Sequence, residues 1–500
     1  MRKLLFKNKK ITPDFIIFTV YCILIAVGIF NHTPWRDEAQ QWFLVQKLSF
    51  PQLIKQLAYE GHPFVWYAIL FPFAKLGFPY TIMYVINSIF SVLLAYIVSF
   101  KFKESRIIKI AFLFSIPILA VFPIIARSYM LAAVLIISMF YLYIEDKDRN
   151  ILKIACLSFL LTNTHVFCIG VSFGFGLVYL IDFIKGFKTR TKNANIEFII
   201  SLFIMISGAI LLYFQLINSI KLSHFIPDSF TGDTQFGSRS ILQHVRYFCE
   251  GLIRPWMFYT YYTYNKYFSH PIFIKLFISL SMFNVVFGCK PKGTTIIAIC
   301  GLIGLNVIHV FVHPGVFSNY LGLFLVIIFG WIFSVAHNTK QKNNEILFTV
   351  NIILSVILVT GGIIGYFNVL NHRGASAKAI SKYITKNKLE NQTFLVYPAY
   401  SGQAVKLNIS HINIYYPTVG NDLSYMPWSK EYSKVSTMTF SEIFHIAKKE
   451  QFYNQKEIYV LSEHEMLCVK PTEECFSPLF ETEIERLENL YIYKIDIGEM

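Results

Sequence analysis

Long apolar blocks recur along the first three quarters of the chain, and the pattern stops near residue 371. The blocks fall at 13–30, 80–100, 107–126, 128–144, 151–163, 165–184, 196–214, 271–288, 294–312, 317–336 and 346–367. A membrane-crossing helix needs roughly 20 mostly apolar residues, so the pattern predicts about eleven such helices, with 151–163 the shortest. The first block follows a basic start, as a signal peptide would. No small-residue cleavage site follows it, and it reads as an uncleaved span. Two further stretches have helical period without the length. From Asp37 the recurring residues are Ala39, Trp42, Phe43, Val45 and Gln46; after a break near Pro51 they are Leu53, Ile54, Leu57 and Ala58. Both predict amphipathic helices at a membrane surface. Beyond 372 the period alternates: helix at 375–390, strand at 393–397, helix near 401–409, strand at 412–416, helix at 440–453, strand at 457–461, and two strands within 479–496. That alternation predicts a small soluble α/β domain. The expected division is a polytopic α-helical membrane domain over 1–371 and an α/β domain over 372–500.

Charge orients this arrangement. Only 15% of the residues are charged, against about a quarter in soluble proteins. The net charge is +15. No nucleic-acid-binding motif is visible, and the basic residues track the loops instead. The doubtful segment is 63–77, apolar but carrying Pro63, Pro72 and Lys75. If it does not cross, the loops on the side of the N-terminus hold twenty Lys and Arg, and those on the other side hold nine, or ten with Lys75 of the segment itself. If it does cross, that assignment inverts. The positive-inside rule therefore keeps 63–77 along the outer leaflet. The expected topology has the N-terminus inside the plasma membrane and the C-terminal domain outside. The abundance of Lys, Ile, Asn and Phe suggests an AT-rich bacterial genome. Cys468 and Cys475 sit in a polar stretch of the C-terminal region, where either a disulfide or two free thiols fits.

The unusual polar residues collect on the outer side. The first outer loop opens with Pro34-Trp35-Arg36-Asp37-Glu38 and closes with Glu60-Gly61-His62-Pro63. Later outer turns carry Arg127 and Tyr129, then Asn163 and His165, then His313, Asn319 and Tyr320; the loop 215–270 adds Arg239, Arg246 and Arg254. Ionisable groups at a membrane boundary are costly unless used. Asp37 suits a general base that takes a proton from an attacking hydroxyl. Arg127, with other loop cations, suits the phosphate of a leaving group. The amphipathic segments 39–58 and 63–77 would border a groove open to lipid, which suits a polyprenyl tail. Together these features imply transfer from a lipid phosphate.

At these residues the sequence resembles a known group. Arg36-Asp37-Glu38-Ala39, Glu60-Gly61-His62-Pro63 and Ala126-Arg127-Ser128-Tyr129 look like the motifs of the GT-C superfamily of integral membrane glycosyltransferases. The likeness is to the branch holding protein O-mannosyltransferases and lipid A aminoarabinose transferases. It covers roughly residues 10–370, with recognisable motifs in the first 170. It implies a GT-C-like fold, a polyprenyl-phosphate-linked sugar donor, and inversion at the anomeric centre. It also implies Asp37 as base accompanied by Glu38, with the motif residues Arg36, Glu60, His62, Arg127 and Tyr129 as candidates for binding donor phosphate or substrate; His165, Arg246 and His313 join these candidates by their position in the outer turns and loop. His62 stands where some relatives have a Lys. Some members of the superfamily need a divalent metal and others do not. Asp37, Glu60, His62 and His165 are the candidate ligands here, without metal-type spacing. The sugar is not readable. The acceptor is open among a lipid, a glycan, a cell-wall polymer and a protein.

Plainer readings stand beside these. Asp37 and Glu38 suit the first turn of a helix, where acids are favourable. Glu60 and His62 fit an ordinary polar loop end. Arg127 fits an anchor snorkelling to head groups, and His165 and His313 fit packing histidines. The loop arginines fit solvated charges, and the tyrosines of 259–267 fit an interfacial belt. The alternative activity is a transporter or flippase of a lipid-linked glycan, which would want mid-membrane charges and internal repeats. A third reading is a scaffold that displays the C-terminal domain.

Overall fold

The computed structural model describes residues 12–222, 293–311, 320–338, 345–372, 375–397, 402–417, 424–427, 445, 457–462, 480–481 and 490–496. The expected span at 271–288, the expected helix at 440–453 apart from His445, and the Cys468–Cys475 pair lie outside them. The chain forms two compact units: Met1–Phe30, Tyr84–Leu212 and Gln235–Phe367 make the first, and Asn31–Met83, Tyr213–Thr234 and Asn368–Met500 the second.

The first unit is helical. Among the described residues five helices are long and apolar enough to cross a membrane: Pro13–Asn31, Ile82–Lys101, Ser128–Asp146, Val166–Gly186 and Lys192–Ile217. Shorter apolar helices lie at Ile151–Thr162, Gly293–Ile308, Gly322–Ser334 and Ser355–Leu370. The long helix Lys192–Leu222 shows what these surfaces need. Phe198, Ser201, Met205 and Leu212 are buried along one stripe, whereas Ile199, Phe203, Ile206 and Ile210 are exposed, Phe203 by 70%. A continuous apolar face of this kind is unfavourable in water and at home in hydrocarbon.

The block 107–126 does not form one helix. It divides into the helix Arg106–Leu113 and a wide π turn Ile116–Val121, and ends in turns before Arg127. Pro117 and Pro123 have no N–H to donate, so the helical ladder cannot continue through them. The freed carbonyls are answered from neighbouring helices. Asn87, fully buried, donates its amide to Phe122 O and Pro123 O at 2.8 Å each. The Tyr21 hydroxyl donates to Ile118 O at 2.8 Å. Irregular backbone deep in an apolar domain is tolerated only with such partners. Asn87→Leu keeps the branched outline of the side chain and removes both N–H donors. We expect it to destabilise the protein by about 2–4 kcal/mol, seen as a lower melting temperature in detergent; an unchanged melting curve would contradict the role.

The start of the first helix is tied by charge. Lys109 is buried and donates to Asp14 Oδ1 at 3.2 Å and to Ser99 O at 2.7 Å. Glu104 lies nearby on the rim of a cavity of about 530 Å³. Burial pushes the Glu104 carboxyl up to about 7, opposed by the Ser105 N–H and by Lys109. The folded protein therefore holds this proton more tightly than the unfolded chain. The associated stability is full below the ordinary carboxylate range and is lost as pH rises through about 7. Glu104→Gln should be more stable than wild type at pH 8 by about 1–2 kcal/mol after allowing for partial exposure, and so melt higher. The two should converge at pH 4.5, and a parallel pH dependence would refute the assignment.

Helices Ile169–Gly186 and Gly293–Phe311 meet backbone to backbone. A Cβ placed on Gly304 would lie 2.6 Å from the Gly170 Cα, and one on Gly174 would lie 2.8 Å from the Ile297 Cα. The spacing Gly170-x-x-x-Gly174 suits such an approach.

The second unit joins the first-loop helices to the C-terminal elements. Helices α1 (Arg36–Lys47), α2 (Phe50–Glu60) and α3 (Val65–Lys75) follow one another. Ser49 precedes α2, with Pro51 in its first turn, where the missing N–H costs nothing. Gly61 ends it at φ 67°, a conformation that suits glycine. The apolar face of α2 appears as expected, with Leu53, Leu57 and Ala58 buried; α1 differs, being buried on every side from Glu38 to Val45 because its polar Glu38, Gln40 and Gln41 also find partners inside the unit. The C-terminal elements are α4 (Ala375–Lys386), β1 (Thr393–Tyr397), α5 (Gly402–Asn408), β2 (Asn413–Tyr415), β3 (Glu457–Ser462), β4 (Phe480–Glu481) and β5 (Tyr491–Asp496). Among the described residues five strands form one mixed sheet in the order β2-β1-β3-β5-β4, with β1 parallel to β2 and β3, and β5 antiparallel to β3 and β4. Phe394, Val396, Ile414, Leu461 and Ile492 of the sheet pack with Ile380, Ile384 and Val405 of the helices.

Candidate functional site

The first loop builds its polar cluster on the start of α1. Trp35 is extended and precedes the helix, and Glu38 is the third helical residue. The Glu38 carboxylate turns back to accept the Trp35 N–H at 2.9 Å, satisfying one of the donors a helix start leaves open. The same oxygen lies 2.8 Å from His32 Nε2. Both side chains are essentially inaccessible, at 1% for His32 and 0% for Glu38. Tyr80 is close enough that burial and then the Glu38 charge raise its phenol above the ordinary value. Asp37 is different. Its side chain keeps 31% exposure, and Arg36 Nε lies 3.6 Å from Oδ1. The Arg36 guanidinium also sits 5.6 Å from the centre of the Trp35 ring. The two adjacent acids therefore have separate settings: one locked into the local fold, the other toward the surface of its unit.

The end of the loop is organised by amides. Glu60 Oε1 accepts from Gln40 Nε2 at 2.7 Å and from Gln56 Nε2 at 3.3 Å. His62 Nδ1 lies 2.6 Å from Glu60 O. In a neutral ring this carbonyl calls for the proton on Nδ1, leaving the lone pair on Nε2. Gln215 Nε2 donates to His62 O at 3.1 Å.

A second polar group belongs to the first unit and gathers residues from two turns. Arg127 precedes the helix Ser128–Asp146. Its guanidinium lies 5.5 Å from the centre of the Tyr129 ring, within cation–π range. Tyr129 stacks on Phe122 at 5.3 Å and meets His165 at 4.9 Å. His165 Nδ1 accepts the Phe167 N–H at 3.4 Å. All three of Arg127, Tyr129 and His165 are buried. Asn163, also expected at this turn, donates to Phe159 O and Gly208 O.

Asp37, Glu38 and Arg36 thus share one helix start, Glu60 and His62 share one loop end, and Arg127, Tyr129 and His165 form one stack. Arg246 and His313 lie outside the described residues, as do Arg239, Arg254 and Asn319. Among the described residues no three His, Cys, Asp or Glu side chains come close enough together to hold a metal ion. Sequence reasoning passed over His32, Tyr80, Gln40 and Gln403. The first stands four residues before Arg36, directly after an apolar block, which was a usable signal; the glutamines carried none. No protein-family model matches this chain, and no curated protein matches its sequence.

Proposed function

We propose that the protein is an integral membrane glycosyltransferase that moves a sugar from a polyprenyl-phosphate donor to a hydroxyl or amine acceptor at the outer face of the plasma membrane. The observation that carries this reading is the division between the paired acids. Glu38 is committed to Trp35 N and His32, so it shapes the loop. Asp37 sits at the same helix start with its side chain partly exposed, as suits a general base. In the reaction Asp37 takes the proton from the acceptor. The acceptor oxygen or nitrogen forms a bond to the anomeric carbon, the bond from that carbon to the phosphate oxygen breaks, and polyprenyl phosphate leaves with the electron pair. By the sequence resemblance a cation meets that phosphate, and Arg127 is the candidate for it.

The topology behind this reading has about eleven crossings, and two observations support it. Helix α3 has eleven residues, about 16 Å at 1.5 Å per residue, roughly half a hydrocarbon core. The amide bonds between Gln40 of α1 and Met426 near the C-terminus require the first loop and the C-terminal elements to lie on one side. An even number of crossings must then separate them. The ten apolar blocks from 80 to 367 satisfy this parity, and counting 63–77 as an eleventh would violate it.

The test is to incubate purified protein in nanodiscs with polyprenyl-phosphate sugars and candidate acceptors. We expect sugar to leave the lipid only when the protein is present. Movement of intact lipid-linked glycan across sealed vesicles, without any sugar leaving its lipid, would establish the flippase reading instead.

A further inference from the structure

Gln40 lies one helical turn beyond Asp37 and is 7% exposed. Its amide makes four hydrogen bonds. Nε2 donates to Glu60 Oε1 at 2.7 Å and to Met426 O at 2.9 Å. Oε1 accepts from Gln403 Nε2 at 2.6 Å and from Met426 N at 2.8 Å. That is the full capacity of a primary amide: two N–H donors and two lone pairs. With Met426 it exchanges both backbone bonds, as a neighbouring β-strand would. Gln56 adds a second tie, donating to Pro427 O at 2.9 Å. Gln403 and Met426 are 2% and 1% exposed, so these bonds are shielded from water, and a mismatch among them is costly.

We propose that Gln40 is a positioning residue through which the C-terminal elements, by Gln403 and Met426, hold both ends of the candidate catalytic loop in register. One bond network joins the helix that carries Asp37 to the Glu60 carboxylate next to His62. The C-terminal region is thereby a working part of the site, and its removal would release the loop. The catalytic half of this proposal rests on the glycosyltransferase reading. The clamp itself does not.

The experiment uses the full-length protein in nanodiscs. Gln40→Glu preserves the acceptor for Gln403 and the Met426 N–H but sets a second carboxylate against Glu60 and the Met426 carbonyl. Adding Glu60→Gln returns a donor opposite the new carboxylate. Amide hydrogen exchange over 31–62 and 402–427 is expected to rise about tenfold in Gln40→Glu and to recover most of that change in the double variant. In the transfer assay, kcat should fall and recover in the same order, with KM for the donor nearly constant, because the loop geometry and not donor binding is altered. Unchanged exchange in Gln40→Glu, or a double variant no better than the single, overturns the clamp. Exchange that responds as expected in a protein with no transfer activity supports the clamp and overturns the positioning role together with the proposed function. Activity that falls through KM alone overturns the positioning role while leaving the reaction intact.

Discussion

Asp37→Asn is expected to lower sugar transfer by about 10²–10⁴-fold, the range associated with loss of a general base, while the protein still folds and inserts. The amide keeps the shape of the side chain and cannot accept the acceptor's proton. The structural cost should be small. Asp37 is partly exposed, and at a helix start its charge contributes about 0.3–1 kcal/mol. Glu38→Gln sets the contrast. Glu38 is fully buried against His32 and caps Trp35 N, so its replacement should lower the melting temperature as well as the activity. Measuring both quantities for both variants separates chemistry from scaffolding. Transfer by Asp37→Asn within tenfold of wild type, at equal expression, would remove Asp37 as the base.

The largest structural effect is expected at the glycine contact between the helices Ile169–Gly186 and Gly293–Phe311. A methyl group at Gly304 meets the Gly170 backbone at 2.6 Å, and backbone cannot turn aside as a side chain can. We expect Gly304→Ala to cost about 1–3 kcal/mol, as overpacking does, and Gly304→Leu to prevent recovery of folded protein. Gly176→Ala, on the same helix as Gly170, is the control: its Cβ would approach only the flexible Met205 Sδ, at 3.7 Å. Size-exclusion profiles and melting curves in detergent measure all three. Equal tolerance of Gly304→Leu and Gly176→Ala would show that the close approach is absent.

Much of the local structure was legible along the chain. Helices at Pro13–Asn31, Ser128–Asp146 and Lys192–Leu222 follow from apolar run length, and α2 from a Pro start and a Gly end. The strand expected at 393–397 is β1, and that at 457–461 is β3 with one further residue. The candidate site was partly legible for the same reason. An Asp-Glu pair after an apolar block is a local feature, and so is an Arg at a turn. The block 107–126 is apolar as expected but is not one continuous helix. Its composition is that of a span, but two prolines inside it ended the ladder, and Asn87, at least 35 residues away, made the break tolerable.

Run length, period and capping act over a few residues, so the sequence by itself determined which segments are apolar helices, which are amphipathic, and where helix and strand alternate. Tertiary structure decided the partnerships: His32 with Glu38, Arg127 with Tyr129 and His165, Gly170 with Gly304, and Gln40 with Met426 across 386 positions. A buried amide or carboxylate has the same letter whatever it meets. Its role is set only when folding withdraws water and leaves particular donors and acceptors as its partners.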